Sequence, residues 1–221
     1  MEALSQFIAC LNPDQKKLFT SLRTTSEIQA YLDSIPYRVE DDNYCALSVF
    51  RDGKAHCFDG ALLASAALRQ IGYDPIIVQT LPEKDDDHML AIYKRNGRYG
   101  AVAKSNYVGL RSREPVFTSI RELVMSYFKD FYNLDGLFSL RAYTLPINLK
   151  HYDRYNWMAS DSGAQVIVKR LHDIKKIRLL SPDVIADLSQ IDPISYKAGM
   201  SITNLDGVYK PGTSPEKDFG L

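Results

Sequence analysis

The chain has 221 residues, enough for one domain with a substantial hydrophobic core. Lys plus Arg and Asp plus Glu each number 27, so the formal net charge is zero and no basic face is expected for nucleic acid. Hydrophobic residues at 45% and charged ones at 24% are ordinary globular values, and no run approaches the ~18 apolar residues of a membrane span. The N-terminal stretch has no basic head before its short apolar patch, and Asn12-Pro13-Asp14 interrupts it, so a cytoplasmic protein without a secretory signal is expected. Three cysteines (Cys10, Cys45, Cys57) cannot all pair within one chain, and no CxxC is present, which fits a reducing compartment and gives no zinc pattern.

In chain order, the first clear helix is expected over Ser26–Ile35. Ser26 and Gln29 suit a capping box, Ile28, Tyr31, Leu32 and Ile35 share a face, and Pro36 ends it. Residues 37–53 are polar and turn-rich. Next comes a stretch from His56 to Gln70 with Ala and Leu on nearly every face, a helix buried all round, closed by Gly72. Strands are expected at Ile76–Thr80, His88–Lys94 and Arg98–Lys104, the last two joined by the hairpin turn Asn96-Gly97. A helix starting near Ser119, with Glu122 completing a capping box, buries Ile120, Leu123, Val124 and Phe128. A strand follows at Phe138–Thr144, then a helix at Ala164–Ile177, then a short one after Ser181-Pro182. Residues 1–190 read as one α+β domain. Residues 191–221, rich in Pro, Gly and charge, read as a C-terminal tail that lies on the body or frays.

Two residues carry the chemistry. Cys57 falls in the first turn of the buried helix, where unpaired N–H groups and the helix dipole favour an anion, the setting that activates a thiol. Cys10 and Cys45 read as small buried hydrophobes. His88 opens a strand after Asp85-Asp86-Asp87, and an imidazole there suits a general base that takes a thiol proton and returns it to a leaving amine. A metal site using Asp86, His88 and Cys57 lacks a fourth spaced ligand, and consecutive aspartates point in alternating directions. His56 beside Cys57 could tune the site, but neighbours on a helix do not share a face, so it reads as a structural cap or an exposed side chain, and Asp59 reads as a dipole partner.

The runs AHCFDGALLASAALRQIGYDP, DDDHMLAIYKRNGRYGAVAKSNY and REPVFTSIRELVMSYFKDFY resemble a bacterial branch of the transglutaminase-like cysteine-protease superfamily, over roughly residues 25–150. The resemblance implies a papain-like core, with a Cys-bearing helix packed on an antiparallel sheet and further helices C-terminal to it. It also implies a cysteine hydrolase or acyl-transferase that works on a peptide or small amide through a thioester and needs no cofactor. Cys57 would be the nucleophile and His88 the base.

The aspartate that orients the histidine in transglutaminases would fall near Ala103, where this chain has no acid. A two-residue turn at Asn96-Gly97 places Ser105 opposite His88, and a three-residue turn places Lys104 there. A bulge or strand end past 104 turns Asn106 inward, as in a Cys-His-Asn arrangement. Asn106 is the expected third residue, because its amide oxygen reaches farther than a hydroxyl; Ser105 is the alternative. The competing reading is a binding or scaffold protein on the same fold, with Cys57 and His88 present but not assembled.

Overall fold

The computed structural model describes residues 2–40 and 42–209. Five helices precede the sheet: α1 (Glu2–Cys10), α2 (Pro13–Ser21), α3 (Thr25–Ser34), α4 (Ala46–Asp52) and α5 (Cys57–Gln70). Strands β1 (Ile76–Pro82), β2 (His88–Arg95), β3 (Arg98–Val102) and β4 (Arg113–Phe117) lead to α6 (Ile120–Met125). Then come β5 (Leu140–Thr144), β6 (Ile147–Asn148), α7 (Asp161–Asp173), β7 (Lys176–Arg178), α8 (Pro182–Ala186) and α9 (Pro193–Gly199). All strand pairings are antiparallel, in the order β4-β3-β2-β1-β5-β7, with β6 also on β1. The fold class is α+β.

Helix α5 is the centre of the packing. Every residue from Cys57 to Leu68 is buried, and Leu62, Leu63 and Leu68 are fully enclosed. Each such leucine contributes roughly 1.5–3 kcal/mol by leaving water. The alternation of strand side chains divides the core in two. Ile77, Met89, Ala91, Tyr93 and Val102 face α5, together with α1, α3, α4 and α7. Val78, Leu90, Ile92 and Ala101 face the opposite way, toward α6.

Local chemistry explains several boundaries. Asn96 and Gly97 both take positive φ (51° and 78°), the turn that pairs Arg95 with Arg98. Thr24, and not Ser26, caps α3: its hydroxyl accepts from the Glu27 N–H, while the Glu27 carboxylate accepts from the Arg23 N–H. Gln29 is thereby free for another role. Its amide oxygen accepts from the Ala103 N–H (3.1 Å) and its amide nitrogen donates to the Ala103 carbonyl (3.0 Å). This side chain takes the strand partner's place, so the β2–β3 ladder ends at Val102 and not at Lys104. Helix α7 begins earlier than expected, capped by Ser160, and the chain at Lys176 becomes an edge strand on β5.

Past Ala103, Lys104 is buried, and its ammonium donates to the Leu32 and Ile35 carbonyls at the end of α3 (2.7 and 2.5 Å). Burial holds its pKa below the usual lysine value. Gly60 makes this approach possible, because a Cβ there would lie 2.3 Å from Lys104 Cβ. Gly60→Ala is therefore expected to destabilise the fold by about 1–3 kcal/mol through overpacking, read as a lower urea midpoint at an unchanged m-value.

Candidate active site

Cys57 is the first residue of α5, and its N-cap is His56, whose backbone is extended (φ −80°, ψ 173°). Being outside the helix, His56 is not bound by helical side-chain spacing. Its ring turns back over the first turn, and Nδ1 lies 3.4 Å from Cys57 Sγ. The thiol also lies 3.6 Å from the Asp87 carbonyl, a contact in which Sγ–H donates. Asp87 in turn accepts from Gln79 Nε2 at 2.8 Å. Cys57 is only 3% exposed. The Asp59 N–H meets the His56 side chain in a capping box, while the Cys57 and Phe58 N–H groups have no intrahelical acceptor, so the positive end of the helix lies at the sulfur.

A buried ion cluster holds this helix end in place. Asp59 is fully buried and accepts from the N–H groups of Tyr44 (2.7 Å) and His56 (3.2 Å). Arg38 Nε lies 3.1 Å from Asp59 Oδ2 without making a hydrogen bond to it, while Arg38 Nη2 donates to Asp52 at 2.8 Å. Burial pushes the Asp59 carboxyl up, against the lowering effect of the two N–H groups and of the neighbouring cations. Residues 36–38 run beside Lys54-Ala55 through Arg38 N–H to Ala55 O (2.9 Å) and Ala55 N–H to Pro36 O (3.2 Å). That pairing sets the Tyr37 ring against His56, with centroids 5.4 Å apart.

Of the three expected site residues, the structure brings neither His88 nor Asn106 to the thiol. His88 shares a sheet face with Leu90 and Ile92, the face turned away from α5. Its Nε2 lies 2.6 Å from the Leu110 carbonyl, and its ring packs against Phe131. A carbonyl only accepts, so Nε2 carries the proton. The cause is strand parity: Met89 is the first β2 residue on the α5 face, and Asp87, just before the strand, lies on the same side. Asn106 is engaged elsewhere, donating to the carbonyls of Asn204 (2.9 Å) and Gly207 (3.0 Å) and accepting from the Asn204 N–H (2.9 Å). Ser105 Oγ accepts from the Tyr107 N–H. The hairpin register is the two-residue one, but Gln29 diverts the chain before Ser105 can pair with His88.

The other thiols differ in setting. Cys45 is buried; burial raises its pKa, and its Sγ sits 3.5 Å from Ser48 Oγ. Cys10 is exposed, contrary to its reading as a buried hydrophobe. Among the described residues, no three His, Cys, Asp or Glu side chains gather as a metal site would, and no helix is long and apolar enough to cross a membrane. Sequence reasoning missed Tyr37, Gln79 and Arg38; His56 is the cap that was one of its readings, but its ring also reaches the thiol. Only the adjacency of His56 and Cys57 at a helix start was a usable signal.

Asp59→Ala leaves two N–H groups orphaned and removes one of the two carboxylates beside the buried Arg38 guanidinium. The expected loss is about 3–5 kcal/mol, measured by chemical denaturation. Asp52 is held down at about 2, from an ordinary 3.8, first by the Arg51 side chain and, against burial, by Arg38. Its folded value lies below its unfolded one. The stability it contributes is thus complete above 3.8 and lost as the pH falls toward 2. Asp52→Asn should flatten the acid side of the melting-temperature profile between about pH 2 and 4.

No family model matches this chain, and no curated protein matches it at a significant level. Solved structures of Legionella pneumophila LapG align with it at 13% identity. One covers 51% of this chain and 83% of LapG with a TM-score of 0.34. The other, of EGTA-treated LapG, covers 47% of this chain and 69% of LapG with a TM-score of 0.35.

Proposed function

We propose that the protein is a cysteine-dependent hydrolase or acyl-transferase of transglutaminase-like type, with a peptide or small amide as substrate. One observation carries the reading: a thiol at the N-terminus of a buried helix, 3.4 Å from an imidazole nitrogen. Cys57 Sγ attacks the carbonyl carbon as His56 takes the thiol proton. The first-turn N–H groups of α5 hold the oxygen that becomes negative. Collapse breaks the C–N bond, and His56 returns its proton to the leaving amine. Water then attacks the thioester and releases the acid, regenerating the thiol; an amine in place of water would give acyl transfer. No cofactor is needed for these steps. In this assignment His56 takes the part the resemblance gives to His88, and His88 pins β2 to the loop at Leu110.

The scaffold reading has its own support, the commitment of His88 to Leu110 and of Asn106 to residues 204–207. Alkylation of Cys57 by iodoacetamide, followed by peptide mass spectrometry, separates the two. His56→Ala should slow labelling at pH 7 about tenfold, equivalent to about 1.4 kcal/mol, with the rates converging at high pH. His88→Ala should lower the melting temperature and leave the labelling rate within about twofold. Both variants labelling at the parental rate, with no acyl adduct on Cys57 after p-nitrophenyl acetate, would favour the scaffold.

A further inference from the structure

The C-terminal segment is attached to the body in an unusual manner. None of α8, α9 or the single turn at Leu205–Gly207 buries a residue. Ile194, Ile202 and Leu205 point to solvent at 82%, 59% and 66% exposure. Apolar burial, which holds the rest of the fold, therefore does not hold this part.

Among the described residues, the segment is fastened at its near end, its middle and its far end. At the near end, Ile191 N–H donates to the Gly136 carbonyl (2.9 Å). In the middle, the Tyr196 and Tyr132 rings lie 5.4 Å apart, Tyr196 Oη donates to the Leu134 carbonyl (3.2 Å), Tyr132 Oη donates to the Tyr196 carbonyl (3.4 Å), and Gly199 sits so close that a Cβ would fall 1.8 Å from Tyr132 Oη. At the far end, Asn106 clamps Asn204 and Gly207 through three hydrogen bonds, and a Cβ on Gly207 would meet Val39, Tyr37 and Asn106 at 3.1–3.4 Å. Between these points the contact is poor. Beside the Tyr132 contact, a cavity of about 230 Å³ opens between Ser195 and Ala198 of α9 and Tyr107, Val108 and Asp130, and the buried Thr203 hydroxyl has no hydrogen-bond partner among the described residues. The far end closes on Tyr37, whose ring packs on His56, which touches Cys57.

We propose that residues 191–207 form a detachable strap. Its docking surface is Tyr37, Val39, Asn106 and Tyr132, and its seating closes access to the Cys57 thiol. Polar clamps and glycine contacts hold it, while little hydrophobic surface is lost when it lifts, so it opens at far lower cost than the body unfolds. Its importance for catalysis rests on the reading of Cys57 as a nucleophile; its mechanical role does not.

The test uses the full chain and two substitutions outside the body's core. Asn204→Pro deletes the N–H that Asn106 accepts, and Gly199→Val drives a side chain into Tyr132. Iodoacetamide labelling at pH 7.5 should speed up at Cys57 at least tenfold in both variants, with exposed Cys10 unchanged as internal reference. Hydrogen exchange should quicken across residues 193–207 and stay parental in α5. Parental labelling of Cys57 in both variants would overturn the strap. Adding His56→Ala to Asn204→Pro separates the two claims. Faster labelling on release that His56→Ala does not slow keeps the strap and removes the hydrolase reading. No gain on release, together with a loss on His56→Ala, does the reverse.

Discussion

The polar start of α5 is enclosed by protein, and the rest of the site depends on how its charges and N–H groups are satisfied there. A helix N-terminus buried without partners would leave several donors unpaired, each costing free energy comparable to a lost hydrogen bond. Asp59 meets part of that cost by accepting from the N-cap His56 N–H and from the neighbouring Tyr44 N–H, and Arg38 supplies the opposing charge beside it. Arg38 is held by Asp52 and by the Lys54 carbonyl. Tyr37, its neighbour, is thereby set against His56. One carboxylate thus organises the helix start, the approaching loop and the imidazole that meets the thiol.

The sheet works as a partition. Because side chains alternate, each strand residue belongs to one core or the other, and a shift of one position reassigns a residue from one to the other. Asp87 lies with the thiol and His88 with Phe131 for this reason. Gln29 has a comparable effect on β3. By pairing with both main-chain groups of Ala103 it ends the ladder and releases the chain toward α3, which Lys104 then seals against the last carbonyls of that helix. The polar residues that follow, Ser105 and Asn106, serve the loop and the C-terminal segment.

Stability is unevenly distributed along the chain. Residues 57–68 are enclosed on all sides, whereas α8 and α9 contribute no buried side chain. The first region is expected to open only with global unfolding, and the second is restrained by a few hydrogen bonds and close ring and glycine contacts. The weakly held segment ends against Tyr37, the ring that packs on His56.

The sequence by itself determined much of the scaffold. The all-round apolar stretch at 57–70, the Asn-Gly turn with its register, and the Ser119–Glu122 helix start are local patterns that read directly as structure. Cys57 at a helix N-terminus was legible for the same reason. Short helices before it, the edge strands and the extent of β3 were not, since Gln29 and Ala103 are 74 residues apart and their bond has no local signature. The contact between an imidazole and the thiol was only partly legible. His56 read as a cap or an exposed side chain because helical spacing was applied to a residue whose extended N-cap backbone lies outside the helix, and the direction of His88 was hidden because strand parity relative to α5 is not written in β2 itself. Side-chain identity and local period are properties of neighbouring residues. Which face meets which helix, and where a strand lets go of its partner, is set by contacts between distant ones, and only the packed tertiary structure decides them.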